Sequence, residues 1–380
     1  MLEFFVSLVF LSFIMAHIVP NMLLARLRQM PLLPQDREQP EPQPSDKTDA
    51  NDGLYHPTPI DIVVVRTMLT RSVKLPPDLV DAIFDYAEYW AHSTNVIDYQ
   101  AEQQEPLRIN GSSMSEDKFL LRSYPIGLTG IDGQDTLSKE LAYDTREAMP
   151  RPAGTDHDQN YFARVAKYPT PRLIHPVRKV VFKIKSHDQG WGGDAEAKGT
   201  YRASWTWFEA GLERFDAAHK CDPQCTRDAR QETPGSDSPS LPVCALRPVY
   251  PNIEQVQNDR EGDGDNSNND SENKEAEEPE VKYRYVHPLE GQAEWEIHRN
   301  KSATSDWQEH HVTWSYLDDT KADSDAGKAL YDSGRGRSTG DGSFVRSLLL
   351  GDVITVWGKA RFGGWVNNVD NVKIEVFWAV

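Results

Sequence analysis

The chain has 380 residues, a formal net charge of −18 and a hydrophobic fraction of 38%, with a mean hydropathy of −0.63 and a pI of about 5.0. An acid-rich surface repels phosphate backbones, so the composition argues against a nucleic-acid partner. The length allows two domains, or one domain with long tails, and the low hydrophobic fraction predicts that part of the chain is disordered.

An apolar stretch from Phe4 to Ala25 opens the chain and carries no formal charge. As a helix it would span about 33 Å, close to the hydrocarbon thickness of a bilayer. Arg26 and Arg28 follow it, so the positive-inside rule predicts a single-pass membrane anchor over 1–28 with the C-terminal portion in the cytoplasm. Two alternatives stay open. One is a cleaved signal peptide, which implies secretion, and the other is an interfacial helix or misplaced start, which implies a cytoplasmic protein.

Residues 29–56 are rich in proline, glutamine and aspartate, a composition typical of a disordered linker. Residues 57–128 are predicted to form a small helical and extended region. Asp61 is positioned to cap a first helix, and a second is expected to begin at the proline pair that follows Leu75. The segment 116–128 reads as extended.

The second predicted helix loosely resembles the opening of an F-box. The residues that match are Leu75, Pro76, Pro77, Leu79, Ile83, Phe84 and Tyr86. The match departs after Trp90, where the sequence supplies neither the third helix of an F-box nor its tryptophan. The resemblance implies an adaptor that docks on a ubiquitin-ligase scaffold.

Two further stretches are predicted to lack a packed core. Residues 129–170 read mostly as loop, with one helix near 137–148. Residues 227–280 are predicted to be a disordered insertion, because the tract 258–280 holds ten Asp and Glu residues against two basic ones, a net charge of −8. A solvated loop is the simpler interpretation of this tract, and an acidic tail for a basic partner is the alternative.

Three cysteines do not make a disulfide framework. Cys221, Cys225 and Cys244, with His219 nearby, have the residue types that zinc prefers. The second half of this set is not a paired CxxC motif and its flanks resemble loops. We therefore predict free thiols or one adventitious disulfide bridge, and we assign no metal site and no cofactor.

From Val177 onward, apolar residues recur at every second position, which is the period of a strand with one buried face. Six segments follow this pattern, namely 177–185, 199–210, 294–299, 307–315, 351–360 and 371–380, with a seventh at 282–286. No long amphipathic helix lies between them to serve as a crossover. The pattern predicts a mainly β fold, an antiparallel β-sandwich or jelly roll over 171–380, analogous in strand order to galactose-binding-like domains.

Nine of the ten tryptophans fall between Trp191 and Trp378. Each indole can bury about 150–250 Å², so most of these rings are expected to pack between the two sheets. Loops at the ends of the sandwich are then the parts expected to meet other molecules.

Several segments of this half resemble the C-terminal module of an uncharacterised group of filamentous-fungal proteins. The segments are SHDQGWGG at 186–193, TW at 206–207, HHVTWS at 310–315 and GDVITVWGKARFGGWVNN at 351–368, and the helix over 75–90 resembles one that often precedes the module. This chain has Gly192 where that group usually has serine and Gly363 where it usually has proline. The resemblance implies the same β-module and carries no established activity.

Two loops of the module hold side chains suited to binding. One follows the first strand and carries a histidine–aspartate pair and a tryptophan among glycines, and the other carries a tryptophan followed by two asparagines. Aromatic faces with amide and carboxylate groups suit sugar rings or peptide segments. The candidate ligand-binding residues are therefore His187, Asp188, Trp191, Trp365, Asn367 and Asn368.

A structural role for the same residues is the alternative. Asp188 is also suited to cap a tight turn through backbone N–H groups, with both tryptophans folded back as lids. Neighbouring side chains on a strand point to opposite faces, so His187 and Asp188 are not expected to share a site. No catalytic residue is assigned.

The sequence favours a non-catalytic recognition module that binds a protein or a carbohydrate through the end loops of a β-sandwich, with membrane tethering if the anchor is correct. One alternative is an F-box-like adaptor for ubiquitin ligation. A second is a hydrolase or lyase built on a jelly roll that uses His187 or a neighbouring residue.

Overall fold

The computed structural model describes residues 55–128, 146–219, 243–256, 281–289 and 294–380, except positions 113, 153 and 167. These residues belong to one unit, Tyr55–Val380. The anchor predicted over 1–28 and nearly all of the linker predicted over 29–56 lie outside the described residues. Within the described stretches, no helix is both long enough and apolar enough to cross a membrane.

The helices of the described residues are short. In chain order they are α1 (Pro59–Arg71), α2 (Pro77–Tyr86), α3 (Tyr99–Gln103), α4 (Gln159–Val165), α5 (Asp325–Asp332) and α6 (Ser343–Ser347), with 3₁₀ turns at Val243–Ala245 and Arg337–Gly340. At the start of α1, the Thr58 hydroxyl accepts from the Asp61 N–H at 3.2 Å, and the Asp61 carboxylate accepts from the Thr58 N–H at 2.9 Å. Asp61 is therefore the third residue of a capping box and not the cap itself.

Twelve strands account for most of the regular secondary structure of the described residues. They are β1 (Ala91–Asp98), β2 (Leu107–Asn110), β3 (Asp117–Arg122), β4 (Val177–His187), β5 (Thr206–Phe215), β6 (Leu246–Tyr250), β7 (Asn252–Val256), β8 (Lys282–Val286), β9 (Glu296–Arg299), β10 (Gln308–Ser315), β11 (Val353–Ala360) and β12 (Val366–Trp378).

Ten of these strands form two five-stranded sheets. Sheet A has the order β1-β12-β4-β10, with β2 also paired to β12, and sheet B has the order β3-β11-β5-β6, with β9 also paired to β5. Every strand pair in the two sheets is antiparallel. The predicted mainly β fold with sandwich-like antiparallel sheets is confirmed.

One apolar cluster joins the facing sides of the sheets. Phe182 and Ile374 contribute from sheet A, and Phe208 and Ile354 from sheet B, each at most 1% exposed. Trp314 of β10 packs edge-on against Phe182, with ring centroids 4.8 Å apart. The alternation predicted from the sequence groups Phe182, Ile354 and Ile374 with the apolar residues on one face of their strands, because successive side chains of a strand point to opposite sides. In β5 the sequence favours the face of Trp207, whereas the core face is that of Phe208.

Two buried tryptophans lie on the outer face of sheet B, contrary to the expectation that most rings pack between the sheets. Trp207 and Trp357 are 0% and 2% exposed, yet each precedes or follows a core residue of its strand and so points the other way. The Trp207 indole N–H donates to Glu209 at 2.7 Å, and Trp357 packs edge-on against Phe119 with ring centroids 5.4 Å apart. Tyr285 and His287 cover the Trp357 ring, with centroids 5.4 and 4.9 Å away, and the Arg361 guanidinium lies 5.3 Å from the centre of the Trp207 ring.

The region from 57 to 128 supplies three strands to the two sheets. β1 pairs with β12 along eight residues, from Ala91 opposite Trp378 to Asp98 opposite Asn371. The segment that resembles an F-box ends at Trp90, and β1 begins at the next residue. The inner face of β1 includes Ser93 and Asn95, which are 6% and 8% exposed. Because these inward residues are polar, β1 does not show the apolar alternation by which a strand is predicted.

Several predicted bounds differ from those of the structure. The strand predicted over 199–210 begins at Thr206, and the residues before it form turns. The insertion predicted to be disordered over 227–280 contains β6 and β7, of which β6 pairs with β5. Proline residues inside and beside β6 hide its strand character, although its Leu246 is 1% exposed.

The predicted loop at 129–170 contains α4, capped by Asp158, whose carboxylate accepts from the Tyr161 N–H at 2.7 Å. Residues 137–145 of the helix predicted near 137–148 lie outside the described residues, and 146–148 are not helical.

Candidate functional site

Three loops meet at one end of the sandwich. They connect β4 to β5 (188–205), β9 to β10 (300–307) and β11 to β12 (361–365). The strand registers bring them together, since His187 lies opposite Asn368 and Ala360 lies opposite Thr206. Antiparallel pairing thus gathers segments that are far apart in the sequence.

Several aromatic side chains occupy these loops, and five of them concern us here. We call them the aromatic rim, and they are Trp191, Trp205, Trp307, Phe362 and Trp365. Trp191 is 63% exposed, Phe362 49% and Trp307 41%, while the other two are half-buried. A group of exposed aromatic rings is a common feature of contact surfaces.

The two tryptophans singled out from the sequence lie on loops that pack crosswise. A methyl group at Gly364 would lie 3.4 Å from Cη2 of Trp191, and one at Gly193 would lie 3.6 Å from Cη2 of Trp365. Each indole therefore lies at ordinary van der Waals distance from a glycine of the other loop. The backbone explains glycine at both places, since φ is +93° at Gly364 and +71° at Gly193.

Asp188 hydrogen-bonds through its carboxylate to the backbone of two of these loops, 188–205 and 300–307. Its side chain is 0% exposed, and its carboxylate accepts from the backbone N–H groups of Gly190 (2.8 Å), Ala303 (2.6 Å) and Thr304 (2.8 Å). Burial raises the pKa of the carboxyl, against the lowering effect of those three N–H groups. The acid is thus engaged inside the protein and does not present oxygens to solvent.

His187 lies beside Asp188 but takes a different direction. Its Nδ1 faces the backbone oxygen of Asp188, and its ring packs edge-on against Trp307 with centroids 4.3 Å apart. Asn368 donates to the same Asp188 backbone oxygen at 3.3 Å. The Gln189 side chain links the two loops, because it donates to the Trp191 backbone oxygen at 2.7 Å and accepts from the Val366 N–H at 3.1 Å.

Asn367 lies deeper and is fully buried. Its amide donates to the backbone oxygens of Trp207 and Lys359, both at 3.2 Å, and it accepts from Asn300 at 2.9 Å. Asn300 also donates to Thr206 at 3.0 Å. These bonds cross between the sheets and fix the floor of the rim.

The same network extends to a stacked histidine pair. Asn300 accepts from Ser186 at 2.7 Å, and His310 lies 3.4 Å from its side-chain oxygen. His310 stacks on His298 with ring centroids 4.1 Å apart. Burial lowers the pKa of His298 to about 4 and that of His310 to about 3, so both rings are neutral at ordinary pH.

Strained backbone occurs in the same loops. Three non-glycine residues there have φ in the left-handed region, namely Ala203 (47°), Ala303 (53°) and Phe362 (65°). Such a conformation costs roughly 1–2 kcal/mol for a residue with a side chain and is unusual for a bulky one. Strain of this kind persists where the surroundings impose it, and it is found most often at functional sites.

Of the six residues predicted from the sequence, the structure brings all to one end of the sandwich but gives them different environments. Trp191 and Trp365 present aromatic surface, His187 and Asn368 are half-buried in loop contacts, and Asp188 and Asn367 are interior. Sequence reasoning missed Trp205, Trp307 and Phe362. Their signal is an aromatic residue beside glycine, serine or aspartate at a strand end.

The arrangement suits binding by contact. Among the described residues, no three His, Cys, Asp or Glu side chains are grouped so that they could hold a metal ion. Cys221 and Cys225 of the weighed zinc set lie outside those residues. The rim offers flat apolar faces on loops that buried hydrogen bonds hold in place.

Comparison of the chain with protein-family models, with curated proteins and with solved structures gives no match.

Proposed function

We propose that the protein is a non-catalytic recognition module that binds a carbohydrate or a protein segment through the aromatic rim. The observation that carries the proposal is the exposure of Trp191, Trp307 and Phe362, from three different loops, at one end of the sandwich. Indole and phenyl faces contribute to binding because they remove apolar area from water without ordering many rotatable bonds.

Rigidity of the loops supports the same proposal. The Asp188 carboxylate and the Asn300–Asn367 pair hold the loops through bonds of 2.6–3.2 Å. A ligand that meets fixed rings does not have to order them, and binding therefore loses less conformational entropy. The strained backbone at Phe362 fits a surface retained for contact at some expense to stability.

Binding to a panel of neutral oligosaccharides and to a random peptide library tests the proposal, with the full chain as the probe. The panel in which binding is found identifies the ligand as a carbohydrate or a peptide. Calorimetric titration with that ligand then gives the affinity. Trp191→Ala and Trp365→Ala are each expected to weaken that affinity about 30-fold or more, the usual loss at a central aromatic contact.

Tyr86→Ala is the matched control, because Tyr86 is an aromatic residue 80% exposed on α2, outside the rim. It is expected to leave affinity unchanged, and circular dichroism checks that all variants remain folded. The proposal fails if neither panel contains a ligand, or if both tryptophan variants bind as tightly as the parent.

A further inference from the structure

The outer face of sheet B carries ionised side chains that are shielded from water. Lys359 of β11 and Glu209 of β5 are both 0% exposed. The Lys359 ammonium lies 2.9 Å from Asp117 of β3 and 3.6 Å from Glu209, and Arg361 lies 2.7 Å from the same Asp117 oxygen. Charges out of water are expensive unless they are paired, so whatever covers this face must suit them.

A two-stranded ribbon covers part of this face. We call it the strap, and it consists of β7 together with residues 281–289, which include β8. Tyr285 packs against Trp357 with ring centroids 5.4 Å apart and donates its hydroxyl to the Ala148 backbone oxygen at 2.7 Å. Residues 282, 284 and 286 of β8 face solvent, so the strand is attached through one side.

His287 completes the attachment. Its side chain is 10% exposed, its ring lies 4.9 Å from that of Trp357, and its Nδ1 is in hydrogen-bond contact with the Lys359 ammonium. An ammonium group can only donate, so Nδ1 must carry a lone pair and the ring must be neutral. A proton on Nδ1 would break this bond and place two cations together.

Among the described residues, the groups that face His287 come from the outer side of sheet B or from the strap. Lys359 and Arg361 are cationic, Asp117 lies 3.9 Å from Nδ1, and Tyr285 stacks on the ring at 5.7 Å. Burial, and then Lys359, lower the pKa of His287 to about 3, although Asp117 opposes them. The pKa of Asp117 is itself lowered, although burial opposes this, because Lys359, His287 and Arg361 favour its charged form, so it stays ionised in mild acid.

We propose that the strap is an acid-released cover, with His287 as its latch. Above the ordinary pKa of histidine, near 6.5, the neutral ring keeps the strap closed. As pH falls from there toward 3, the released strap takes up a proton that the closed strap does not, so release becomes easier by up to tenfold per pH unit. Release uncovers Trp357 and the Lys359–Asp117 pair, a second surface of the sandwich.

Hydrogen exchange of the full chain, followed by mass spectrometry and corrected for the intrinsic pH dependence of exchange, tests this. Protection of residues 282–286 is expected to fall about 25-fold from pH 7 to pH 5, while β4 and β12 keep theirs. His287→Gln retains an oxygen that accepts from Lys359 and cannot be protonated, so its strap protection should not change with pH. His311→Gln, an exposed histidine of β10, is the matched control and should respond as the parent does.

The proposal is overturned if strap protection in the parent is the same at pH 7 and pH 5. It is equally overturned if His287→Gln shows the full fall, or if β4 and β12 lose protection together with the strap, which would indicate global unfolding.

Discussion

Phe362 offers a direct way to test whether the rim is held against backbone preference. Its φ is 65° and its ring is 49% exposed, in edge contact with Trp205 at 4.6 Å between centroids. Replacement by alanine and by glycine removes the same ring from the same contact. The two variants therefore differ in the Cβ that the left-handed backbone has to accommodate.

The expected difference follows from two opposing effects. A Cβ in the left-handed region costs roughly 1–2 kcal/mol, and this cost is absent in glycine because it has no Cβ. Glycine loses about 0.5–1 kcal/mol more than alanine in backbone entropy on folding. Phe362→Gly should thus be more stable than Phe362→Ala by about 0.5–1 kcal/mol, an inversion of the usual order.

Urea unfolding followed by circular dichroism measures both free energies of unfolding. Asp306 is a matched control site, because it is exposed in a neighbouring rim loop and its φ lies outside the left-handed region. There, Asp306→Gly should be less stable than Asp306→Ala by about 0.5–1 kcal/mol. If the alanine variant is more stable than the glycine variant at both positions, the argument that Phe362 is strained is refuted.

Two further outcomes are expected. Gly111→Ala should destabilise the fold and weaken ligand binding, because a Cβ at Gly111 would lie 2.3 Å from the backbone oxygen of Phe362. Thermal melting and calorimetric titration measure the two effects. A variant as stable and as tightly binding as the parent would contradict the packing described. Arg122→Met should lower the free energy of unfolding in urea by about 3–5 kcal/mol, because it leaves Glu213, 2.5 Å from Arg122, buried without its cation. The double change Arg122→Met and Glu213→Leu should recover most of this loss. A double variant as unstable as the single one would contradict the pairing.

Local patterns predicted much of the fold. β4, β10 and β11 alternate apolar and other residues, and this period is visible without knowledge of partners. β1 was not predicted, because its inward positions include Ser93 and Asn95, whose burial depends on contacts with distant residues. The Asn95 amide, for example, donates to the Arg122 backbone oxygen at 2.6 Å.

The candidate site was predicted at the level of its loops but not of its side chains. A glycine-rich turn with a tryptophan at a strand end is a local signal, and it located Trp191 and Trp365. Whether a polar residue faces the ligand or the interior depends on what the fold places beside it. The Asp188 carboxylate accepts hydrogen bonds from the N–H groups of Ala303 and Thr304, more than a hundred residues away in the chain. A local sequence pattern cannot predict these bonds.

The proposal that the rim is the recognition surface is tested most directly by one nuclear magnetic resonance spectrum of the chain labelled at its ten tryptophan indoles. On saturation with the ligand found by the panels, the N–H signals of Trp191, Trp307 and Trp365 should shift. Those of the buried Trp314 and Trp378 should stay in place. Shifts confined to tryptophans outside the rim, or no shift at all in the rim signals, would contradict the account.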